Sequence, residues 1–445
     1  VMNLRHARMT RRRLLTGGSA MVATFAIAGR SSAATDVDIV VVGAGAAGIA
    51  AAHALRAAGR KPIVLEARGR VGGRAFTDTS LGPGYDAGAM FIHWAERNPW
   101  VQIARELGVE TTTEPWGSGF RVFADGRPMA DADRRRRRDA FNQIDRRLET
   151  VDLGARDMSI AELLSDLGPD SAPVAASGLL LSIGEESSRI SARDYQRLWA
   201  GDDLVVPAGY GNLVARSAGG LDIRLNQPVE AIRWDGSTVT VATTSGELRA
   251  NGCIVTVPVG VLKAGAIRFT PELPAATRDA LAGLHMGALT KIALKVEGDR
   301  FGIAPGASFL EAGAPERLMN FDMFPDDRDI VIGYCGGDYA RKLSEAGDEE
   351  ARAHVVDLLA RMVGENFRKT ATALSFPAWW TDPFARGSYS ICDPGHEKAR
   401  EALAQPIGGR LLIAGEATAG GGAMTVGGAT LAGRAAAATL ARLKA

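Results

Sequence analysis

"DVDIVVVGAGAAGIAAAHALRAAGRKPIVLEAR", Asp36–Arg68, is the stretch that decides the fold. Val37–Val42 is a short apolar run that reads as a buried strand, and "GAGAAG" (Gly43–Gly48) is the turn that follows it. Ile49–Ala58 reads as an alanine-rich helix ended by Gly59, and Pro62–Leu65 as a second strand closing on Glu66. The three glycines carry different tasks. Gly43 allows the tight turn, Gly45 lets the backbone approach a pyrophosphate, and Gly48 lets helix and strand pack closely. The helix N-terminus, with Ala46 and Ala47, offers unpaired N–H groups to phosphates. Glu66, 18 residues past Gly48, suits a ribose hydroxyl pair, with Ala67 and Arg68 beside it. Strand, turn, helix, strand and terminal acid in register specify a dinucleotide without saying which one.

Bulk composition narrows the rest. A chain of 445 residues is too long for one simple core, and 46% hydrophobic with 23% charged residues is the balance of a folded globular protein. Its net charge of +1 is uneven: residues 1–34 hold six arginines and no acid, so the remainder has 46 basic against 51 acidic residues. That balance does not suggest a nucleic-acid binder. Residues 1–34 read as an address. "TRRRLLT" (Thr10–Thr16) resembles a twin-arginine export signal, and Ala20–Ala28 is an apolar run far short of the ~20 residues that span a bilayer. "SSAAT" then supplies small residues for cleavage after Ala34. A bacterial periplasmic or secreted destination is expected, with no stable membrane insertion. Cys253, Cys335 and Cys392 are far apart and odd in number, so neither a disulfide framework nor a metal site is expected.

"EARGRVGGRAFT" (Glu66–Thr77) adds a second glycine turn at Gly72-Gly73, followed by Arg74, whose guanidinium pairs with a pyrophosphate from the other side. Nicotinamide-type units do not carry this extension. The pattern resembles FAD proteins of the glutathione-reductase-like group and, more narrowly, the flavin amine oxidase family. The resemblance runs from Asp36 to the C-terminus. It includes "VVPAGYGNLV" (Val205–Val214), "QPVEAIRWDGSTVTVATTSGELRANGCIVTVPVGVLKAG" (Gln227–Gly265), "HMGALTKIALKV" (His285–Val296), "WWTDPFARGSY" (Trp379–Tyr389) and "LLIAGEATAGGGAMTVGGATLAGRAAA" (Leu411–Ala437).

The resemblance implies an α/β protein: a glutathione-reductase-like Rossmann FAD-binding domain with a discontinuous mixed α+β substrate-binding domain. The expected division is a signal peptide at 1–34 and an FAD domain in three parts (35–96, 205–289, 379–445). A helical part of the substrate domain covers 97–204 and its second part 290–378. Within 97–204, "DADRRRRRDAFNQIDRRLET" (Asp131–Thr150) reads as a solvated helix face, its arginines flanked by acids. In Gln227–Gly265 the alternating strands turn at Asp235-Gly236 and Ser245-Gly246.

The resemblance also implies site roles. Val229 would bind the adenine through its backbone, with Val257 of the "VTVP" turn nearby. Gly73, Arg74, Ala89, Met90, Trp380, Gly415, Glu416, Thr425 and Val426 complete the cofactor set. The Val426 N–H would face the pyrimidine end of the ring, where negative charge develops on reduction. Lys291 matches the lysine that holds a water against flavin N5. The implied reaction removes a hydride equivalent from the carbon beside an amine nitrogen and leaves an imine, which water hydrolyses. Alkyl amines have a pKa of ~10.4, and only the neutral amine supports hydride loss, so an apolar wall is required. Phe91, Trp94, Trp380 and Tyr389 are expected to form it.

Four departures from the family pattern are informative. Ser388 stands where covalent relatives carry a cysteine, so FAD is expected to be noncovalent. Thr425 stands in the place of one of two tyrosines that sandwich the amine in monoamine oxidases, leaving Tyr389 alone. Trp94 replaces a glycine usual in polyamine oxidases, which suggests a compact amine. In "YDAGAMFIHW" (Tyr85–Trp94), Phe91 replaces the carboxylate-binding arginine of amino-acid oxidases. His93 reads as a positioning or polarity residue, with a core histidine and an obligatory base as alternatives. The leading reading is an oxidase using O2 and releasing H2O2. An amino-acid oxidase, a periplasmic dehydrogenase passing electrons to a carrier protein, and a flavoprotein without amine chemistry stay open, as does a homodimer.

Overall fold

The structure, a computed structural model, describes residues 36–113, 119–154, 156–314 and 317–442. The twin-arginine segment lies outside them. Val37–Val42 is a strand of an eight-stranded sheet, paired in parallel with Pro62–Leu65 on one side and Gly246–Val255 on the other. Both of its faces are buried. Val40 and Val42 enter one core with Ile232 and Val255; Ile39 and Val41 enter another with Leu55, Leu412 and Leu440. A strand covered on both sides needs a continuous apolar run rather than an alternating one, which is what "VDIVVV" supplies. Ile223–Arg224 extends the sheet beyond Pro62–Leu65. On the other flank Gly246–Val255, Val239–Thr243 and Val229–Arg233 form an antiparallel meander through the two expected turns, with Arg268–Thr270 at the edge. Leu411–Ile413 pairs in parallel with Cys253–Val255.

The first helix spans Ala46–Ala57, beginning three residues before the expected Ile49 because Gly45 is already its N-cap. The closing helix, Val426–Ala441, crosses it so closely that a Cβ at Gly433 would sit 2.1 Å from the Ala47 carbonyl oxygen. Alanine and glycine on both helices are the condition for that approach.

A second, seven-stranded sheet runs in the order Ala371–Ser375, Leu289–Val296, Ile330–Gly336, Met319–Met323, Ala307–Glu311, Arg121–Ala124, Arg127–Pro128. The last two strands correct the helical reading of 97–204. Arg121–Ala124 pairs in parallel with Phe309–Glu311, far away in sequence, and a strand that short leaves no periodicity of its own. The rest of that region includes the helices Pro99–Glu106, Asp131–Thr150, Ser171–Ser182 and Ala192–Arg197. On Asp131–Thr150 only Ala140, Ile144 and Leu148 are buried, while Arg134 and Arg136 pair with Asp131 and Asp133 one turn back. Among the described residues no helix is long and apolar enough to cross a membrane.

Candidate functional site

The nucleotide end is built from two facing glycine turns. Gly43 (φ +100°) donates its N–H to the Leu65 carbonyl at 2.8 Å, and a Cβ at Gly48 would sit 1.9 Å from the Gly43 carbonyl oxygen. Gly72 donates to the Ala44 carbonyl at 2.8 Å, which brings the Gly72-Gly73 turn against the first. Gly45 faces open space between them. Glu66 is buried, its carboxylate fixed by the N–H groups of Ala44 (2.7 Å) and Arg68 (2.8 Å). The Gln227 N–H donates to the Glu66 carbonyl at 2.8 Å, so the segment leading into Val229 passes beside the same acid. Thr256, next to Val257, hydrogen-bonds the Val42 carbonyl through its hydroxyl at 2.8 Å and closes the turn from the opposite strand.

These residues fit an FAD. The helix Ala46–Ala57 starts at Gly45 with no capping side chain and no acid in its first turn. Its positive end therefore meets the cleft unneutralised, as a pyrophosphate requires. Val426–Ala441 likewise has no acid in its first turn. Thr425 caps it: its hydroxyl oxygen accepts from the Gly428 N–H at 3.0 Å, and the same hydroxyl donates to the Gly422 carbonyl at 2.8 Å. A small cavity lined by Arg74, Thr256, Val257, Gly415, Glu416 and Thr418 joins the cofactor residues of three separated segments.

Arg74 is aimed by its neighbours. It donates to the Ser388 carbonyl (2.8 Å) and to Glu416 (3.1 Å). Glu416 is buried; burial opposes its charge, but Arg74, Arg400 and the Ser390 hydroxyl (2.7 Å) outweigh that and hold its carboxyl below the usual range. Behind it Arg400 bonds Ser390 and both oxygens of Asp194, each at 3.0 Å. Arg68, by contrast, spends its guanidinium on a bidentate pair with Asp382 (2.7 and 2.8 Å). Arg70, which the sequence reading missed, stacks on Phe76 at 4.0 Å and donates to the Gly73 carbonyl at 2.9 Å. Burial lowers its pKa to about 10. It braces the second glycine turn, and its place inside "RGRVGGR" was the available signal.

The second half of the site centres on Lys291. The strand Leu289–Val296 carries it inward to 8% exposure, where its ammonium donates to the carbonyls of Asp86 (2.6 Å) and Gly88 (3.1 Å) and contacts the Met90 sulfur at 3.6 Å. Asp86 anchors this backbone. Its carboxylate accepts from Thr77 (2.6 Å) and from the N–H groups of Tyr210 and Gly211, while burial pushes its pKa up. The small residues 87–89 serve a close crossing. A Cβ at Gly88 would lie 1.9 Å from the Arg74 carbonyl, and the Ala89 N–H donates to that same carbonyl at 3.1 Å.

The aromatic residues divide differently from expectation. Phe91 and His93 lie together, ring centroids 5.5 Å apart, and His93 Nδ1 meets the Asp203 carboxylate at 3.0 Å. Tyr389 donates its hydroxyl to the Ser182 carbonyl at 2.8 Å, and burial raises its pKa, so the phenol stays neutral. Ser388 uses its hydroxyl to accept from the Leu289 N–H at 3.0 Å. Trp94 does not line the cleft: it is 1% exposed, edge-on to Trp199 at 5.0 Å and packed beneath Gly427. Trp380 is turned outward, under the Arg341 guanidinium (4.8 Å) and bonded to Glu345 (3.0 Å). The indole against the Lys291 cradle is Trp379, whose N–H donates to the Ala87 carbonyl at 3.0 Å. Two adjacent tryptophans in a turn gave no periodicity to choose between them.

A family profile described as flavin containing amine oxidoreductase matches residues 46–168 and 170–441. Lysine-specific histone demethylase 2 of Homo sapiens is 29% identical over 419 residues, covering 85% of this chain and 50% of its own length. The chain thus spans about half of that relative. Polyamine oxidase 4 of Oryza sativa subsp. japonica is 29% identical over 429 residues, covering 86% of this chain and 84% of that protein. Among solved structures, a wild-type putrescine oxidase bound to putrescine superposes with a TM-score of 0.76 at 22% identity, over 90% of this chain and 98% of that one.

Proposed function

The chain belongs to the flavin-containing amine oxidoreductase family, which makes it an FAD-dependent oxidoreductase acting on amine donors, and from that premise we propose its reaction. It oxidises the C–N bond of a compact primary or secondary amine that bears no carboxylate, with O2 as acceptor and H2O2 as product. The observation that carries this reading is the Lys291 ammonium, buried and aimed by two backbone carbonyls of the Asp86–Gly88 segment. FAD, when bound, supplies the two-electron acceptor. The chain's own residues do the rest. Phe91 and the neutral Tyr389 ring give the amine an apolar wall that favours its uncharged form. Lys291 holds the water that flanks the reacting centre. Compactness now rests on Phe91 rather than on Trp94.

One observation favours a second reading. Asp203, its side chain 40% exposed and paired with His93, offers a carboxylate to a second cationic nitrogen on the substrate, as in a short diamine. Anaerobic bleaching of the flavin by monoamines, diamines, polyamines, N-heterocyclic amines and amino acids decides among these. Fastest bleaching by amino acids overturns the carboxylate-free substrate, and no bleaching by any of them overturns amine chemistry. Peroxide release in air separates the oxidase from a dehydrogenase. Export through the twin-arginine route to the periplasm or beyond belongs to the same proposal; unchanged export after Arg11→Lys and Arg12→Lys would overturn it.

A further inference from the structure

The Met90 thioether sits 3.6 Å from the Lys291 ammonium, on the same segment whose carbonyls hold that lysine, and it is only partly buried. An ammonium has three N–H donors; its acceptors here include the Asp86 carbonyl, the Gly88 carbonyl and a sulfur. A thioether is the weakest of these and the one group of the three that peroxide oxidises. Elsewhere in the molecule Met286, Met319 and Met323 are buried in cores and shielded. Met90 is a partly buried methionine placed where the reaction's oxidising product is expected to form, and Met424, beside Thr425, is another.

We propose that Met90 is a turnover-dependent oxidation site whose sulfoxide restrains Lys291 and slows the enzyme; this rests on the oxidase reading above. A sulfur lone pair attacks one oxygen of hydrogen peroxide, the O–O bond breaks, and the departing oxygen leaves as water with both protons. The thioether is oxidised to sulfoxide and the peroxide reduced to water. Lys291, a positive donor beside the sulfur, stabilises the oxygen that departs. Afterwards the sulfoxide oxygen, a far stronger acceptor than the thioether, accepts the ammonium N–H that the sulfur held weakly. Lys291 is then less able to exchange that contact for water.

The experiment follows the holoenzyme through many turnovers in air, with peroxide release, activity and peptide mass measured on the same samples. A parallel sample of resting enzyme receives reagent hydrogen peroxide. Expected is loss of activity in step with gain of one oxygen on the peptide holding Met90, reversed by methionine sulfoxide reductase. Met90→Leu should keep its own initial rate over the number of turnovers that halves the wild type. An inactivated wild type with Met90 unmodified, or with oxygen only at Met424 or surface methionines, overturns the inference while leaving the oxidase reading intact. No peroxide during turnover overturns the oxidase reading instead, and the reagent arm then still decides whether Met90 is the reactive sulfur. Should Met90→Leu fail to fold, the wild-type peptide map and the reductase reversal decide alone.

Discussion

Replacing Arg400 with methionine tests whether the buried charge chain behind Arg74 holds the molecule together. The Arg400 side chain is 3% exposed and Asp194 10%, and they meet through the guanidinium Nε. Burial opposes the Arg400 charge, but Asp194 and Glu416 outweigh it and raise its pKa. Arg400 also donates to the Ser390 hydroxyl at 2.6 Å and the Ser390 carbonyl at 3.0 Å. Methionine matches the stem but leaves the Asp194 carboxylate buried without its cation. Removing one partner of a buried pair costs ~3–5 kcal/mol. With an unfolding entropy of ~2.1 cal/mol/K per residue over roughly 400 folded residues, that is a fall in Tm of ~4–6 °C.

The assay is thermal unfolding of the holoprotein in excess FAD at fixed pH, for the wild type, Arg400→Met, Asp194→Asn and the double variant. Asp194→Asn removes the charge that Arg400→Met strands, so the double variant should recover part of the loss, with a coupling of ~1–3 kcal/mol. Arg400→Lys should not restore the wild type, because an ammonium cannot bridge Asp194 and Ser390 with one rigid fork. A Tm for Arg400→Met within about 1 °C of wild type, or strictly additive single effects, would refute the reasoning.

The remaining predictions concern chemistry and pH. Lys291→Met should slow flavin reduction or reoxidation by ~10²–10⁴-fold while leaving FAD bound; stopped-flow rates equal to wild type in both steps remove Lys291 from the reaction. FAD should leave acid-precipitated protein, since Ser388 offers no thiol, and yellow colour kept in the pellet would show a covalent link. His285 lies between Glu185 (2.9 Å) and Asp393 (2.6 Å); burial disfavours its imidazolium, but those bonds outweigh burial and raise its pKa above 6.5. Its stabilisation is complete below that ordinary value and is lost as pH rises through the raised one. Wild-type Tm should therefore fall as pH rises above 6.5 while His285→Gln stays flatter, and parallel curves would assign the fall to other groups. Trp94→Phe should lower stability by ~1–2 kcal/mol without reordering the preferred amines, whereas Phe91→Ala should reorder them; the bleaching panel reads both.

Local signals were legible wherever one short segment carries the whole instruction. The strand Val37–Val42, the glycine turn and Pro62–Leu65 read directly because burial on both faces, the phosphate turn and the helix start are all written within Asp36–Arg68. Lys291 was legible only through the resemblance of "HMGALTKIALKV" to the family segment, since a lysine on a strand by itself reads as outward-pointing. The sequence did not show its partners Asp86, Gly88 and Met90, which lie about 200 residues away. Arg121–Ala124 was hidden for the same reason, since its pairing partner follows far downstream. Nor did the Arg74–Glu416–Arg400–Asp194 chain leave any pattern, because a buried ion network is a product of tertiary packing and has no spacing.

The misplaced tryptophan has a different cause, and it sharpens the site. Phe91 and Trp94 are expected to share one apolar wall, but Phe91–Ile92 is a strand paired with Leu204–Val205, and successive side chains of a strand point to opposite faces. Phe91 and Ile92 therefore point to opposite faces, and beyond the strand's end Trp94 is buried as Ile92 is: Ile92 is 0% and Trp94 1% exposed. Trp94 takes φ +44° and packs beneath Gly427, in the first turn of the closing helix. The place of a glycine in related enzymes does not here imply a filled substrate channel. Trp94 there is a buried prop against Gly427, and the proposed reaction puts amine selection on Phe91, His93 and Asp203 instead.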